Sequence, residues 1–233
     1  MKKIGLLGGL SWVSTHEYYA LINQHVREAF KDNTSAHIVI ESVNEHLFLD
    51  RLTSDPTEQI CSKMVADAVN VLEVAQAEVI ALSANGIHRF IKDLPEYSRQ
   101  RIVHIATETA KACDHLGYKK VGLLGVYQTM TGDFYKKALA DFGINVMVPN
   151  EAHMQDIHQR IVDDLCLGDF NDNNKAYFLD HSRRLVDEGA DAVILGCTEI
   201  PLLLKDELNT HSQLISTTHV HTKAIVEKAL SRE

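Results

Sequence analysis

Residues 191–203 read DAVILGCTEIPLL, an apolar run followed by a cysteine, a hydroxyl residue and a carboxylate. Its apolar run Ala192–Leu195 stops at Gly196, and β-branched apolar residues bounded by glycine predict a buried β-strand. Cys197 then stands at the carboxyl end of that strand, where open α/β sheets place their ligand crevices. A buried cysteine with no chemical role is the competing interpretation, because free cysteines are often buried.

An internal repeat favours a functional role for this strand end. The segment KIGLLG at 3–8 returns as KVGLLG at 120–125, and AEVIALS at 77–83 returns as ADAVILGC at 190–197 with one residue inserted. The order and separation of the two segments are kept in both halves, which predicts two similar lobes. We therefore expect Ser83 and Cys197 at corresponding strand ends. If a pseudo-two-fold axis relates the lobes, these residues lie on opposite walls of one cleft.

Apolar strands alternate with amphipathic helices along the whole chain, which predicts an α/β fold with mainly parallel sheets. We assign residues 1–116 to the first lobe, completed by a C-terminal helix at 217–233, and residues 117–216 to the second lobe. The predicted strands cover residues 3–7, 37–42, 77–82, 120–124, 144–149, 192–195 and 214–216.

Composition excludes several classes of function. The 233 residues carry a net charge of −9 with no run of like charges, which argues against a nucleic-acid-binding surface. No apolar segment approaches the roughly 20 residues of a membrane span. The four cysteines show no C-x-x-C spacing, so we expect no metal or disulfide framework and a cytoplasmic location. His211, His219 and His221 lack partners at ligand spacing, and the dinucleotide motif G-x-G-x-x-G is absent.

Four segments together resemble the signatures of the aspartate/glutamate racemase family, within the Asp/Glu/hydantoin racemase superfamily. GGLSW at 8–12 is similar to its opening signature, and SANGIH at 83–88 to its first catalytic motif, Cys-x-Asn-Thr-x-His. TM at 129–130 with FY at 134–135, and GCTEI at 196–200, are similar to its third and fourth motifs. The resemblance covers essentially the whole chain. It implies two Rossmann-like lobes with the active site in the cleft between them, no cofactor, two opposed catalytic cysteines, an amino-acid substrate and a homodimer.

The chain departs from the family pattern at important positions. Ser83 stands where the first catalytic cysteine is normal, and Gly86 where the motif has threonine. Cys166 replaces a lysine that some members carry, and Ser216 replaces an acidic residue. Cys197 keeps the second catalytic position, followed by Thr198 and Glu199.

Stereoinversion needs one group that removes the α-proton and another that supplies a proton to the opposite face. A thiol with a pKa near ~8.5, lowered further by nearby donors or cations, serves as a base near neutrality, whereas a serine hydroxyl is a poor base. We therefore expect Cys197 to transfer protons efficiently on one face of the carbon. Ser83 serves the other face slowly, so racemisation is biased in direction.

No pyridoxal or metal signature is present to stabilise the carbanion, so backbone N–H groups and nearby polar side chains are expected to hold the two carboxylates. The residues after the two strand ends and in the loops after the first strands fit this role. Arg51 is a candidate guanidinium for the second carboxylate, although a solvated surface arginine is the competing interpretation. The predicted substrate-binding residues are Ser11, Asn85, Gly86, Thr129, Thr198, Glu199 and Arg51.

Aspartate and glutamate are not distinguished by these residues, and two other functions stay open. One is a single-cysteine decarboxylase or isomerase of the same superfamily, which needs one proton donor. The other is a non-catalytic amino-acid-binding module, in which Cys197 is an inert buried thiol.

Overall fold

The computed structural model describes residues 1–208 and 213–231, and in this part of the chain it contains two parallel β-sheets. His211 lies outside the described residues. Short 3-10 helices cover Gly86–Asp93 and Leu165–Leu167. The strands are β1 (Ile4–Gly8), β2 (Ile38–Ser42), β3 (Val79–Leu82), β4 (Lys120–Leu124), β5 (Asn145–Met147), β6 (Ala192–Leu195) and β7 (Leu214–Ser216). The helices are α1 (Trp12–Phe30), α2 (Glu45–Ser54), α3 (Gln59–Val74), α4 (Glu96–Arg101), α5 (Ile105–His115), α6 (Tyr127–Thr131), α7 (Asp133–Ala140), α8 (Glu151–Asp163), α9 (Asp172–Asp187), α10 (Glu199–Leu203) and α11 (Thr217–Leu230).

The predicted α/β class with parallel sheets is confirmed. The chain divides into two compact units, residues 1–104 with 221–233 and residues 105–220. The sequence-based boundary at 116/117 lies after α5, whereas α5 packs within the second unit, and the sequence-based boundary at 216/217 lies before the structural one at 220/221. Its buried side chains Ala106, Ala110 and Cys113 belong to the apolar cluster that contains Val121 and Leu123 of β4.

In the first unit, the sheet order is β2-β1-β3, and both faces of β1 and β3 are buried. Ile4 and Leu6 belong to the apolar cluster that includes α1 and α11, whereas Leu7 belongs to the cluster that includes α3. This alternation is the period-2 geometry of a strand. Burial on both faces explains why these strands appear in the sequence as continuous apolar runs.

In the second unit, the sheet order is β5-β4-β6-β7. Val121 and Leu123 pack with α5 and α7, whereas Leu124 packs with α8 and α9. The two sheets therefore repeat one construction, in which helices connect successive parallel strands and cover the faces of the sheet.

The repeated glycine of KIGLLG and KVGLLG allows a helix to approach the sheet closely. A Cβ on Gly5 would lie 3.1 Å from Cβ of Leu72 on α3, and a Cβ on Gly122 would lie 3.1 Å from Cβ of Leu185 on α9. Such contacts are tighter than ordinary van der Waals packing, so any larger residue must push the helix away from the strand. The sequence repeat thus preserves one helix–sheet contact in each unit.

The hydrogen-bond register refines the predicted correspondence of the strand ends. Leu7 pairs with Leu82, and Leu124 pairs with Leu195. The next residues also match, because the N–H of Ser83 donates to Leu7 O at 2.9 Å and the N–H of Gly196 donates to Leu124 O at 2.6 Å. Ser83 therefore corresponds in register to Gly196, and Cys197 comes one residue later.

Two helices begin at side-chain caps. Residues 45–54 form α2, in which only Phe48 is buried, so no apolar periodicity marks it in the sequence. Its N-cap is Asn44, whose Oδ1 accepts from the N–H of Leu47 at 3.1 Å. The N-cap of α1 is Ser11, whose side chain accepts from the N–H of Ser14.

Neutral histidines form a buried network in the first unit. Nε2 of His221 donates to Val103 O at 2.8 Å, so its Nδ1 accepts from the hydroxyl of Tyr18 at 2.8 Å. The ring of His88 lies edge-on to those of His221 and His104, and its Nε2 donates to Leu82 O at 3.2 Å. Burial lowers the pKa of His221 to about 3 and holds the pKa of His88 well below its usual value.

We expect this network to make the first unit sensitive to acid. Below pH 6.5 the unfolded chain takes up protons at these histidines while the folded chain does not. Their contribution to stability is therefore fully present above pH 6.5 and is lost as the pH falls towards 3. The free energy of unfolding should fall by about 1.4 kcal/mol per pH unit for each such histidine, measured by urea unfolding between pH 7 and pH 4. The variant His221→Gln should reduce the slope by one such increment. His16→Gln, on an exposed position of α1, is the matched control, and an unchanged slope in His221→Gln would contradict the prediction.

Candidate active site

The thiol of Cys197 lies just after β6 and hydrogen-bonds to a neighbouring carboxylate. Its Sγ donates to Oε2 of Glu199 at 3.0 Å, and the hydroxyl of Thr198 donates to the same oxygen at 2.9 Å. Cys197 is 8% exposed and Glu199 is 2% exposed, so solvent screens the pair only weakly. Three consecutive residues therefore form one buried group of thiol, hydroxyl and carboxylate, and the three predicted site residues are brought together.

Burial raises the pKa of the Cys197 thiol well above its usual value. The negative charges of Glu199 and Cys166 raise this pKa further, as does the hydrogen bond to the Glu199 carboxylate, while the Glu199 backbone N–H opposes them. From the sequence we expected donors or cations around the sulfur, so that Cys197 would serve as a base near neutral pH. The structure differs because a carboxylate acceptor faces the thiol. Cys197 in the resting protein is therefore a protonated thiol, which is a proton donor.

Thr129, on α6, is a buried hydroxyl beside the same strand end. Its side chain is 0% exposed, and its Oγ1 has no hydrogen-bond partner within the described residues. Its methyl group fills the space over Gly196, where a Cβ would lie 3.2 Å from Cγ2. An unpaired buried hydroxyl costs about 1–3 kcal/mol, which a polar ligand group would recover. This supports the predicted role of Thr129 in binding.

A hydroxyl at the start of α11 binds the last backbone carbonyl of β6. The hydroxyl of Thr217 donates to Leu195 O at 2.8 Å. The fully buried Tyr135 hydrogen-bonds to Thr217 and to Thr109, and burial raises the pKa of its phenol. Because Leu195 lies two residues before Cys197, these contacts help to set the position of the thiol.

Ser83 is fully buried just after β3, and its hydroxyl already donates a hydrogen bond to the backbone. Its Oγ donates to Leu7 O at 3.0 Å, and its carbonyl accepts from the hydroxyl of Ser14 at 2.6 Å. The hydroxyl must break its bond to Leu7 before it can donate elsewhere. Ser83 is therefore a slow proton donor as well as a poor base.

Thr15 connects Ser83 to the loop after β1. Its Oγ1 accepts from the N–H of Gly9 at 2.8 Å, donates to Ser11 O at 2.9 Å and lies 3.3 Å from Oγ of Ser83. Ser11 and Ser83, both predicted site residues, are thus brought together through Thr15, which was not among the predicted site residues. The available signal was the succession of hydroxyl residues at 11, 14 and 15, directly after Gly8 and Gly9.

The other predicted residues of the first unit lie in two different environments. Asn85 is buried, and Gly86 begins the 3-10 helix, where its carbonyl accepts from Arg89. Arg89 also forms a two-pronged ion pair with Glu58, with both N–O distances 2.9 Å, which ties this loop to the start of α3. Arg51 lies on α2 with 50% of its side chain exposed, 3.5 Å from Asp50. Its role in binding a carboxylate stays a prediction.

The sequence model of the Asp/Glu/hydantoin racemase family matches residues 7–225. The chain belongs to this family. The match spans both strand ends and the loops that follow them, so the resemblance to racemase signatures is confirmed.

Solved structures of similar proteins agree over nearly the whole chain. A candidate Asp/Glu racemase from Yersinia pestis is 33% identical, with a TM-score of 0.87, over 99% of this chain and 100% of that one. An aspartate racemase homologue from Pyrococcus horikoshii is 32% identical, with a TM-score of 0.82, over 99% and 100%. The aspartate racemase of Picrophilus torridus is 21% identical, with a TM-score of 0.80, over 97% and 94%, and shows the shared fold.

Within residues 1–208 and 213–231, no group of three or more His, Cys, Asp or Glu side chains is placed to hold a metal ion. No helix in the same ranges is long and apolar enough to cross a membrane.

We expect the charge of Glu199 to control the ionisation of Cys197. Glu199→Gln removes a negative charge beside the thiol, so the pKa of Cys197 should fall and its alkylation by iodoacetamide should begin at a lower pH. Each unit of pKa changes the thiolate fraction, and hence the rate at a fixed pH below the pKa, by about tenfold. Mass spectrometry of the peptide that contains Cys197 measures this rate. Glu188→Gln, an exposed carboxylate of the same unit, should leave the rate unchanged, and an identical pH profile in Glu199→Gln would contradict the prediction.

Two buried threonines of the second unit should respond oppositely to valine. Thr129→Val removes an unpaired hydroxyl at nearly constant shape and should raise the free energy of unfolding by about 1 kcal/mol. Thr109→Val removes a hydroxyl that donates to Ile105 O at 2.8 Å and contacts Tyr135, and should lower it by about 1 kcal/mol. Urea unfolding of the free protein measures both changes. Equal destabilisation by the two variants would show that the Thr129 hydroxyl has a protein partner.

Proposed function

We propose that this protein is a cofactor-independent amino-acid racemase that acts on aspartate and/or glutamate, with Cys197 transferring protons at Cα. Membership of the racemase family supports the reaction class. The names of two relatives that are 32% and 33% identical support an acidic substrate.

The hydrogen bond from Cys197 to Glu199 carries the proposal. A thiol with a raised pKa cannot deprotonate a carbon by itself, but a carboxylate 3.0 Å away can accept its proton. Glu199 thus makes Cys197 usable in both directions. The hydroxyl of Thr198 holds the carboxylate in place.

One turnover follows from these groups. Glu199 takes the proton from Cys197, and the sulfur anion then removes the α-hydrogen, leaving a carbanion and restoring the thiol. A proton added to the opposite face gives the other enantiomer, and the turnover closes when Glu199 releases its proton to water and the group that served the opposite face takes one up. In the reverse direction the thiol donates its proton directly to the carbanion. The α-ammonium of the substrate, as a cation, favours the thiolate when the amino acid is bound.

Ser83 is the proposed group for the opposite face, and its bonding makes that face slow. Its hydroxyl must leave Leu7 O before it can protonate a carbanion. A carbanion formed by Cys197 therefore recovers a hydrogen from the thiol more often than from Ser83. Solvent exchange without inversion is the expected result for one enantiomer.

The buried hydroxyl of Thr129 supports binding of a substrate carboxylate, because its Oγ1 is available to donate. Backbone N–H groups of Asn85, Gly86, Thr198 and Glu199, with Ser11 and Arg51, complete the proposed binding set. We propose no metal and no cofactor for the reaction, and we propose that the enzyme is a cytoplasmic homodimer.

The test is exchange and inversion of the four enantiomers of aspartate and glutamate in deuterated water. Proton NMR follows loss of the α-hydrogen, and chiral chromatography follows inversion. One enantiomer should exchange much faster than it inverts, because Cys197 returns deuterium to the face from which it took hydrogen. Cys197→Ser should lower exchange by about 10²- to 10⁴-fold, the usual contribution of a general acid–base group. Cys113→Ala, which removes another buried thiol of the same unit, is the matched control.

Variants of Ser83 separate the two faces. Ser83→Cys should raise inversion relative to exchange, whereas Ser83→Ala should lower inversion and leave exchange on the Cys197 face. Equal and fast exchange of both enantiomers in the wild type would contradict the directional bias. Release of carbon dioxide from a substituted malonate without amino-acid exchange would instead support the single-cysteine decarboxylase. Amino-acid binding without either reaction would support the binding module.

A further inference from the structure

Cys166 packs in the same apolar core as Cys197. It is half-buried in the 3-10 helix Leu165–Leu167 and packs against the apolar cluster to which Cys197 belongs. The same 3-10 helix contacts α10, which begins two residues after Cys197. The chain therefore brings a second thiol towards Cys197 within one compact unit.

The electrostatic coupling of the two cysteines agrees with this packing. Negative charge on Cys166 raises the pKa of Cys197 by more than the direct hydrogen bond to Glu199 does. Because the interaction of two charges falls with their separation, this effect agrees with the packing of the 3-10 helix against α10.

The other two cysteines lie in different surroundings. Cys61 is fully buried in the first unit, where its thiol donates to Phe48 O at 3.6 Å. Cys113 is fully buried in the second unit, and burial raises its pKa to about 12. Buried cysteines in apolar surroundings react slowly, so an oxidant from solvent reaches Cys166 first.

We propose that Cys166 is a reversible modification site, at which oxidation by a hydroperoxide leads to a disulfide with Cys197. The sulfur of Cys166 attacks the outer oxygen of the peroxide, the O–O bond breaks, and an alcohol or water leaves with the thiol proton. Cys166 is now a sulfenic acid. The sulfur of Cys197 attacks the sulfur of Cys166, and the S–O bond breaks as the S–S bond forms.

Glu199 supports the second step as well. It accepts the proton of Cys197 as the sulfur attacks, and the departing hydroxide takes up that proton as water. In sum, two thiols lose two electrons and the hydroperoxide gains them, giving one disulfide, one alcohol and one water. A dithiol such as dithiothreitol reverses the modification by exchange.

The consequence for activity rests on the proposed function. A disulfide removes the sulfur of Cys197 from proton transfer and blocks its bond to Glu199, so the oxidised enzyme is inactive. The same bond protects Cys197 from irreversible oxidation to sulfinic acid. Cys166 would thus convert oxidative damage into a recoverable state.

Peptide mapping tests the disulfide without using activity. The full-length protein is treated with hydrogen peroxide, its remaining thiols are blocked with N-ethylmaleimide, and it is digested without reduction for mass spectrometry. We expect a linked pair of peptides containing Cys166 and Cys197, which dithiothreitol separates. In Cys166→Ser the linked pair should be absent. Loss of the free Cys197 thiol should be about tenfold slower or more, because a raised pKa lowers the reactive thiolate fraction.

Cys61→Ala keeps both cysteines of the proposed pair and should form the same linked peptides as the wild type. Consumption of Cys197 by peroxide without a linked pair would overturn the proposal, as would equal rates of Cys197 loss in the wild type and Cys166→Ser. A linked pair in a protein that shows no exchange of any amino acid would support the disulfide and refute the proposed function.

Discussion

Parallel pairing of β1 with β3 and of β4 with β6 is the constraint on which the rest of the structure depends. Neighbouring strands therefore end at the same edge of the sheet. The N–H of the first residue after β3 donates to a carbonyl near the end of β1, and the N–H of the first residue after β6 donates to a carbonyl at the end of β4. That geometry brings the loops after β1 and β3 together, and likewise those after β4 and β6. The close helix contacts at Gly5 and Gly122 hold each sheet against its covering helix.

Burial determines the chemistry of both strand ends. A polar group removed from water needs a partner, and the two units meet this need differently. In the first unit, Ser83 is bonded to Leu7 and Ser14 and lies beside Thr15. In the second, Cys197 bonds to a carboxylate, and the hydroxyl of Thr129 has no partner among the described residues. The units therefore differ by more than the exchange of a thiol for a hydroxyl.

Much of the fold could be predicted from the sequence, because strands buried on both faces appear as apolar runs and the repeat shows their correspondence. The bounds of β4 and β7 agree with prediction to the residue. Helix α2 was missed because one buried side chain leaves no periodic signal. The placement of α5 in the second unit was missed because packing of a helix on one sheet or another depends on contacts distant in sequence.

The fold class, the family and the positions of Ser83 and Cys197 just after strand ends could be predicted from the sequence. These follow from local periodicity and from motifs that are contiguous in the chain. Only the tertiary structure decided the protonation of Cys197 and the commitment of the Ser83 proton to Leu7 O. It also places Cys166 against the apolar cluster that contains Cys197. The physical reason is that desolvation and hydrogen-bond direction depend on how completely the folded chain surrounds a group, and no run of neighbouring residues specifies that enclosure.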